Sequence, residues 1–181
     1  THLHFDHAGG LTRYGEDGAT YVTFPRAAHY IQRTEWEEAT HPNERTRAGF
    51  HPEDFLPLKE LGLVRALEGD HYINPHIQVI VTGGHTTAHQ AVRIASRGQV
   101  AYFPGDIIPA VPFVSPVYGT SYDVYPLTTL EAKKTLLRRA LRRRATVFLS
   151  HQTTDAVGRI DLDADGHYFF SPLRETDDGS L

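Results

Sequence analysis

Residues 1–10 read THLHFDHAGG, and within them His2, His4, Asp6 and His7 form the pattern HxHxDH. That is a density of metal-competent side chains that chance does not supply. Imidazole and carboxylate are borderline donors that suit Zn2+ and its first-row neighbours, and an extended backbone alternating about Leu3 and Phe5 can aim His2 and His4 at one ion. Asp6 and His7 then point elsewhere. Because one ion cannot easily take every donor from so short a segment without strain, the economical reading is two neighbouring ions with the pairs divided between them. Such a division predicts further donors downstream.

They are present. TGGHTTAHQ supplies His85, YFPGD supplies Asp106 and FLSHQ supplies His151, each at or just after the end of a segment with β character. HxHxDH followed by GH, GD and SH motifs in this order resembles the metallo-β-lactamase fold superfamily. Through HLHFDHAGG, GHTxxHQ and YDxxPLTTLEAKK, the resemblance is strongest to the branch holding acyl-homoserine lactonases and related lactone and ester hydrolases. It runs across nearly the whole chain.

The resemblance implies an α/β protein with the αββα four-layer sandwich of that superfamily. It implies that His2, His4 and His85 hold a first metal, that Asp6, His7 and His151 hold a second, and that Asp106 bridges them. Some lactonases place a tyrosine just after the bridging aspartate; here Ile107, Ile108 and Pro109 follow, with Tyr118, Tyr122 and Tyr125 further along. Lactone specificity is therefore an open point of the sequence. TGGH also stands where proline often precedes the glycine.

The chain has 181 residues, of which 40% are hydrophobic, enough for one domain spanning residues 1–181 with a sizeable core. A formal net charge of -4 gives no general attraction for nucleic acid or anionic membranes. Cysteine is absent, which excludes disulfides and thiolate ligands and agrees with a cytoplasmic setting. No apolar run approaches the roughly 20 residues of a membrane-spanning helix. Thr1 abuts the metal motif and the chain has no methionine, so the expectation is an N-terminally incomplete domain lacking its first strands, on the order of 50 to 100 residues. Any signal peptide would lie in that part.

Outward from the motif, Ala8, Gly9 and Gly10 suggest a loop turning into a helix. Residues 21–24 and 28–31 suggest short strands around Pro25. Thr34 and Glu37 have the spacing of a capping box, predicting a helix towards His41 that Trp36 packs onto its neighbours. Residues 41–55 are broken by Pro42, Asn43, Gly49 and Pro52. They suggest a plain surface loop, with a lid or a homodimer contact as the sharper alternatives. Residues 64–81 return to β character, and residues 91–96 and 100–103 flank Arg97-Gly98 as a hairpin leading to Asp106. Thr128 and Glu131 suggest a second capping box, opening a helix with a Leu130, Leu137 and Leu141 stripe. Its terminal arginines, Arg138, Arg139, Arg142, Arg143 and Arg144, read as a solvated face favoured by the helix dipole over a nucleic-acid patch. A strand over residues 146–149 then presents Ser150 and His151. Asp161 to Gly166 opens like a calcium loop, but Pro172 stands where its glutamate is needed, so Asp165-Gly166 reads as a hairpin turn.

Of the 12 histidines, His89 is expected to orient the loop or a ligand; His29, His41, His51, His71, His76 and His167 read as ordinary structural or surface residues. Two divalent ions, Zn2+ by preference and Fe or Mn as alternatives, can share a hydroxide made near neutral pH and hold it against an electrophilic carbon. Asp106 balances their charge, and Asp6 can orient that hydroxide and pass a proton to the leaving group. The function expected is a binuclear metal-dependent hydrolase of an ester or lactone bond in a small-molecule substrate. The alternative is a non-catalytic or truncated binding module on the same fold.

Overall fold

A computed structural model describes residues 1–174. The chain enters extended through residues 1–4 and closes one helical turn, α1 (Phe5–Ala8), in which the His4 carbonyl accepts the N–H groups of His7 and Ala8. A 3-10 turn follows, and then a hairpin of β1 (Thr12–Tyr14) and β2 (Thr20–Val22), the first strand being one that the glycines of the motif conceal in the sequence. β3 (His29–Gln32) runs straight into α2 (Arg33–Thr40). The capping box therefore does not form: Gln32 holds the N-cap position with no side-chain cap, and Thr34 is already inside the first turn. Trp36 does pack the helix as expected, its ring edge-on to Phe55 at 5.5 Å between centroids.

Residues 41–55 are not a plain surface loop. Asn43 caps a turn by accepting the N–H groups of Arg45 and Thr46, a 3-10 turn follows, and α3 (Pro52–Glu60) begins at a proline that is already preset for the first helical position. Phe50, Phe55 and Leu58 are buried there with Leu3, Ala8, Val22, Ile31 and Ala39, and this second core holds the metal motif against α3. Prolines and glycines that look like loop punctuation serve here as helix starts and close packing.

β4 (Val64–Leu67) pairs in parallel with β3, making a two-stranded sheet of its own. β5 (His71–Asn74), β6 (Ile77–Val81), β7 (Gln90–Ser96) and β8 (Gln99–Phe103) form an antiparallel meander, with Arg97-Gly98 as the expected hairpin turn. α4 (Pro126–Arg143) carries the chain over to β9 (Thr146–Phe148), parallel to β8, and β10 (Val157–Leu162) and β11 (Tyr168–Pro172) finish a seven-stranded sheet ordered β11-β10-β9-β8-β7-β6-β5. The turn between β10 and β11 is tied by the Asp163 carboxylate, which accepts the N–H groups of Asp165 and His167.

α4 starts earlier than the threonines suggest, because Pro126 fixes the first helical φ; Thr129 then faces inward while Thr128 stays exposed. Thr129, Lys133, Leu136, Leu137 and Ala140 make the buried face, and the helix packs on β8 and β10; Leu136, Leu137 and Ala140 share one core with Tyr102, Val147 and Ile160. Leu137 is wholly buried, so Leu137→Ala costs about 2 to 5 kcal/mol. The five terminal arginines are all exposed. The small sheet is locked to the large one by a pair of amides: Gln32 donates to Gln90 at 2.9 Å, and Gln90 donates to the Tyr30 carbonyl at 3.2 Å. No helix among the described residues is long and apolar enough to cross a membrane.

Candidate metal centre

The motif divides as its local structure dictates. Along the extended run before α1, His2 and His4 face one way while Leu3 is buried in the core on the other, and the turn of α1 then carries Asp6 and His7 round to a second position. His85 comes from the loop between β6 and β7. There Gly83 and Gly84 both take positive φ, and the His85 and Gly84 carbonyls accept the N–H groups of Val124 and Tyr125. Asp106 sits in a 3-10 turn just past β8, and His151 follows β9 with its N–H donated to the Pro109 carbonyl.

These residues converge as two groups. One donor atom each from His2, His4 and His85 lie within 4.8 Å of one another, and so do donor atoms from Asp6, His7, Asp106 and His151. His85 Nε2 stands 3.1 Å from His4 Nδ1, and His7 Nε2 stands 3.2 Å from His151 Nε2. Asp106 lies between the groups. Its Oδ2 is 3.4 Å from His85 Nε2, while its Oδ1 is 3.1 Å from His7 Nε2 and 3.2 Å from His151 Nε2. Asp6 approaches the second group from the solvent side, 3.6 Å from His151 and 3.7 Å from His7.

The electrostatics suit cations. Burial, then the nearby imidazoles, hold His2 well below the usual histidine range, and burial followed by His85 brings His4 down to about 4. Both rings are thus neutral near pH 7 with a lone pair to give. Burial alone would raise the Asp106 carboxyl, but the hydrogen bond from His7 and the neighbouring His7, His85 and His151 keep it far below the ordinary carboxylate range. His2 offers the sharpest fit: its Nδ1 meets the Thr1 hydroxyl at 3.0 Å, while its buried Nε2 has no hydrogen-bond partner. Buried polar atoms are seldom left in that state, and a cation among these donors would satisfy it.

Residues behind the donors fix their orientation. His89 is wholly buried, and its Nε2 accepts the Asp106 N–H at 3.1 Å, which places the ring proton on Nδ1 facing the Thr82 hydroxyl at 2.7 Å. It supports the loop, as its place in TGGHTTAHQ suggests. Asp123, buried, stands 3.1 Å from His85 Nδ1, leaving Nε2 for the centre, and Ser150 donates to Asp106 Oδ1 at 3.2 Å. Neither residue was marked by the sequence beyond its place in the YDxxPL and SH motifs. Glu35, buried on α2, accepts the Leu3 N–H at 2.9 Å and the Thr86 hydroxyl at 2.5 Å. A glutamate on an amphipathic helix gives no sign in the sequence that it points inward.

A cavity of about 590 Å3 opens beside the donors, reached by His4, Asp6, His85, Asp106 and His151 and walled by Phe5, Pro109, Ala110, Phe113, Tyr122 and Val124. The segment 45–49 supplies a further part of the wall, where Arg45 donates to the Ser121 carbonyl at 2.5 Å. Of Tyr118, Tyr122 and Tyr125, Tyr122 lines this cavity, whereas the other two do not. His51, which looked unremarkable in the sequence, stacks on Phe5 at 5.0 Å between centroids.

Known proteins resemble this chain in sequence and in fold. An N-acyl homoserine lactonase of Bacillus thuringiensis is 36% identical over 97 residues, which are 54% of this chain and 32% of that protein. The match thus spans about a third of the length of the curated relative. The crystal structure of a probable metal-dependent hydrolase from Staphylococcus aureus superposes with a TM-score of 0.82 at 28% identity, over 97% of this chain and 61% of that one. The structure of an N-acyl homoserine lactone hydrolase, with the product N-hexanoyl-L-homoserine at its catalytic metal centre, gives a TM-score of 0.64 at 26% identity, over 84% of this chain and 54% of that one. The family model of the metallo-beta-lactamase superfamily matches residues 1–151, a span that runs from the first motif through the last donor. With that span, the fold and two donor groups meeting at one carboxylate, the chain belongs to the metallo-beta-lactamase superfamily.

Proposed function

We propose that this protein is a binuclear metal-dependent hydrolase of lactone or ester bonds, and that N-acyl homoserine lactones are the substrate class to test first. The observation that carries the reading is the position of Asp106, whose two carboxylate oxygens face opposite donor groups. His2, His4 and His85 would hold one ion, Asp6, His7 and His151 the other, with Asp106 shared. Two divalent ions, Zn2+ by preference, would supply Lewis acidity there, making water a nucleophile near neutral pH and polarising the scissile carbonyl.

The chain's own residues do the rest. Asp6 has the most exposed carboxylate of the group and lines the cavity, so it can accept a proton from the attacking group and return it to the leaving alkoxide. The apolar wall of Phe5, Ala110, Phe113 and Val124 takes an acyl chain and excludes water from it. Tyr122, which lines the same cavity, would be the tyrosine to meet a substrate carbonyl. The 36% identity over 97 residues to an N-acyl homoserine lactonase of Bacillus thuringiensis supports this choice of substrate class.

The test is metal analysis of the full-length protein together with turnover of N-acyl homoserine lactones, aryl esters, phosphotriesters and β-lactams after loading with Zn2+, Mn2+ or Fe2+. We expect roughly two ions per chain and a preference for lactones. Asp106→Ala and His85→Ala should lose turnover while keeping the fold by circular dichroism. Unchanged hydrolysis in both variants would overturn the assignment.

A further inference from the structure

We propose that Glu35 is the positioning residue for the His2, His4 and His85 triad, a buried carboxylate that fixes two sequence-distant donor segments against each other. The inference rests on the two-ion reading. Glu35 is 1% exposed, and its two oxygens are used separately: Oε1 accepts the Leu3 N–H and Oε2 accepts the Thr86 hydroxyl. Leu3 is the residue between His2 and His4, and Thr86 directly follows His85. One side chain thus sets the separation of the extended run that bears the first pair of imidazoles from the loop that bears the third.

A carboxylate in this place is not a packing convenience. Burying one costs free energy that hydrogen bonds only partly offset, and an apolar side chain on α2 would avoid that cost while leaving a backbone N–H and a hydroxyl unpaired. The hydrogen bonds found for Glu35 reach neither the Asp106 turn nor the His151 loop, which are held instead by His89, Ser150 and the Pro109 carbonyl. The selectivity follows: disturbing Glu35 should loosen one donor group and spare the other.

The test titrates Zn2+ into the metal-free full-length protein against a chromophoric chelator, resolving two dissociation constants, with the melting temperature recorded beside them. Glu35→Ala, Glu35→Gln and Thr86→Val are compared with the wild type, and His2→Ala and His151→Ala identify which constant belongs to which site. We expect Glu35→Ala and Thr86→Val to raise the constant that His2→Ala abolishes by about tenfold or more, leaving the other little changed. Glu35→Gln keeps an acceptor for Leu3 and can donate to the Thr86 hydroxyl, so it should recover most of the loss. Should Glu35→Ala fail to fold, Thr86→Val decides the matter, since it deletes one hydroxyl and keeps the side-chain shape. Constants that stay at wild-type values, or that rise together in step with a lower melting temperature, overturn the positioning role. A wild-type protein that binds no Zn2+ overturns the two-ion reading itself.

Discussion

The backbone N–H of Asp106 is capped by His89, whose Nε2 accepts it at 3.1 Å from the floor of the centre. The ring thus holds the turn on which the shared carboxylate sits. Truncation in His89→Ala removes a fully buried imidazole, opens a cavity and leaves that N–H unpaired. We expect a loss on the order of 2 to 4 kcal/mol in urea unfolding of the metal-free protein. Denaturation midpoints equal to wild type would show that the turn holds itself.

Two glycines should prove irreplaceable for different reasons. Gly84 takes φ +94, and a Cβ there would lie 2.6 Å from the Thr129 backbone nitrogen, so the residue before His85 has neither the conformation nor the space for a side chain. Gly49 has ordinary φ, but a Cβ would meet the His4 ring at 2.6 Å. We expect Gly84→Ala and Gly49→Ala each to purify with less bound metal than wild type, as read by elemental analysis. Gly166→Ala is the control: its φ is also positive, but nothing lies within 4 Å, so only about 1 kcal/mol of backbone strain should appear and metal content should hold.

The donors themselves are legible in the sequence because each stands in a dense motif or at a strand end, and because the order of those motifs resembles that of a known family. What shapes the cavity is less legible. Residues 41–55 look like loop because Pro52 and Gly49 are read as breakers, yet Pro52 starts α3 and Gly49 admits His4. The two capping boxes mislead in the same way: Thr34 and Thr128 match the spacing, but β3 runs directly into α2 and Pro126 starts α4 first. Glu35 and Asp123 escape notice because inward direction is a tertiary property, fixed by what packs around the helix or loop.

The cavity wall formed by the 45–49 segment depends on Arg45, which bridges to the Ser121 carbonyl next to Tyr122. Arg45 touches none of the donors in the contacts found, so its effect should fall on substrate binding. For Arg45→Ala we expect KM for a long-chain acyl lactone to rise by roughly fivefold with kcat little changed, as befits about 1 kcal/mol of lost uniform binding. Equal KM values in wild type and variant would show that the wall stands without the bridge.

Acid should destabilise the metal-free protein through His4. In the unfolded chain this imidazole takes a proton near its ordinary value of 6.5, whereas burial and then His85 delay protonation in the folded chain to about 4. Between those values the unfolded state binds more protons, so unfolding is favoured as pH falls, and the stability present at neutral pH is lost progressively. His2 and His89 are shifted in the same direction, chiefly by burial, and should extend the loss. Urea midpoints of the metal-free protein should therefore drop as pH is lowered from 6.5 to 4, and more steeply than in His4→Asn, which has no imidazole to protonate. Bound cations compete with protons for the same lone pairs, so the metal-loaded protein should hold its midpoint to lower pH and then release its ions. Identical slopes for wild type and His4→Asn would remove this ring from the account.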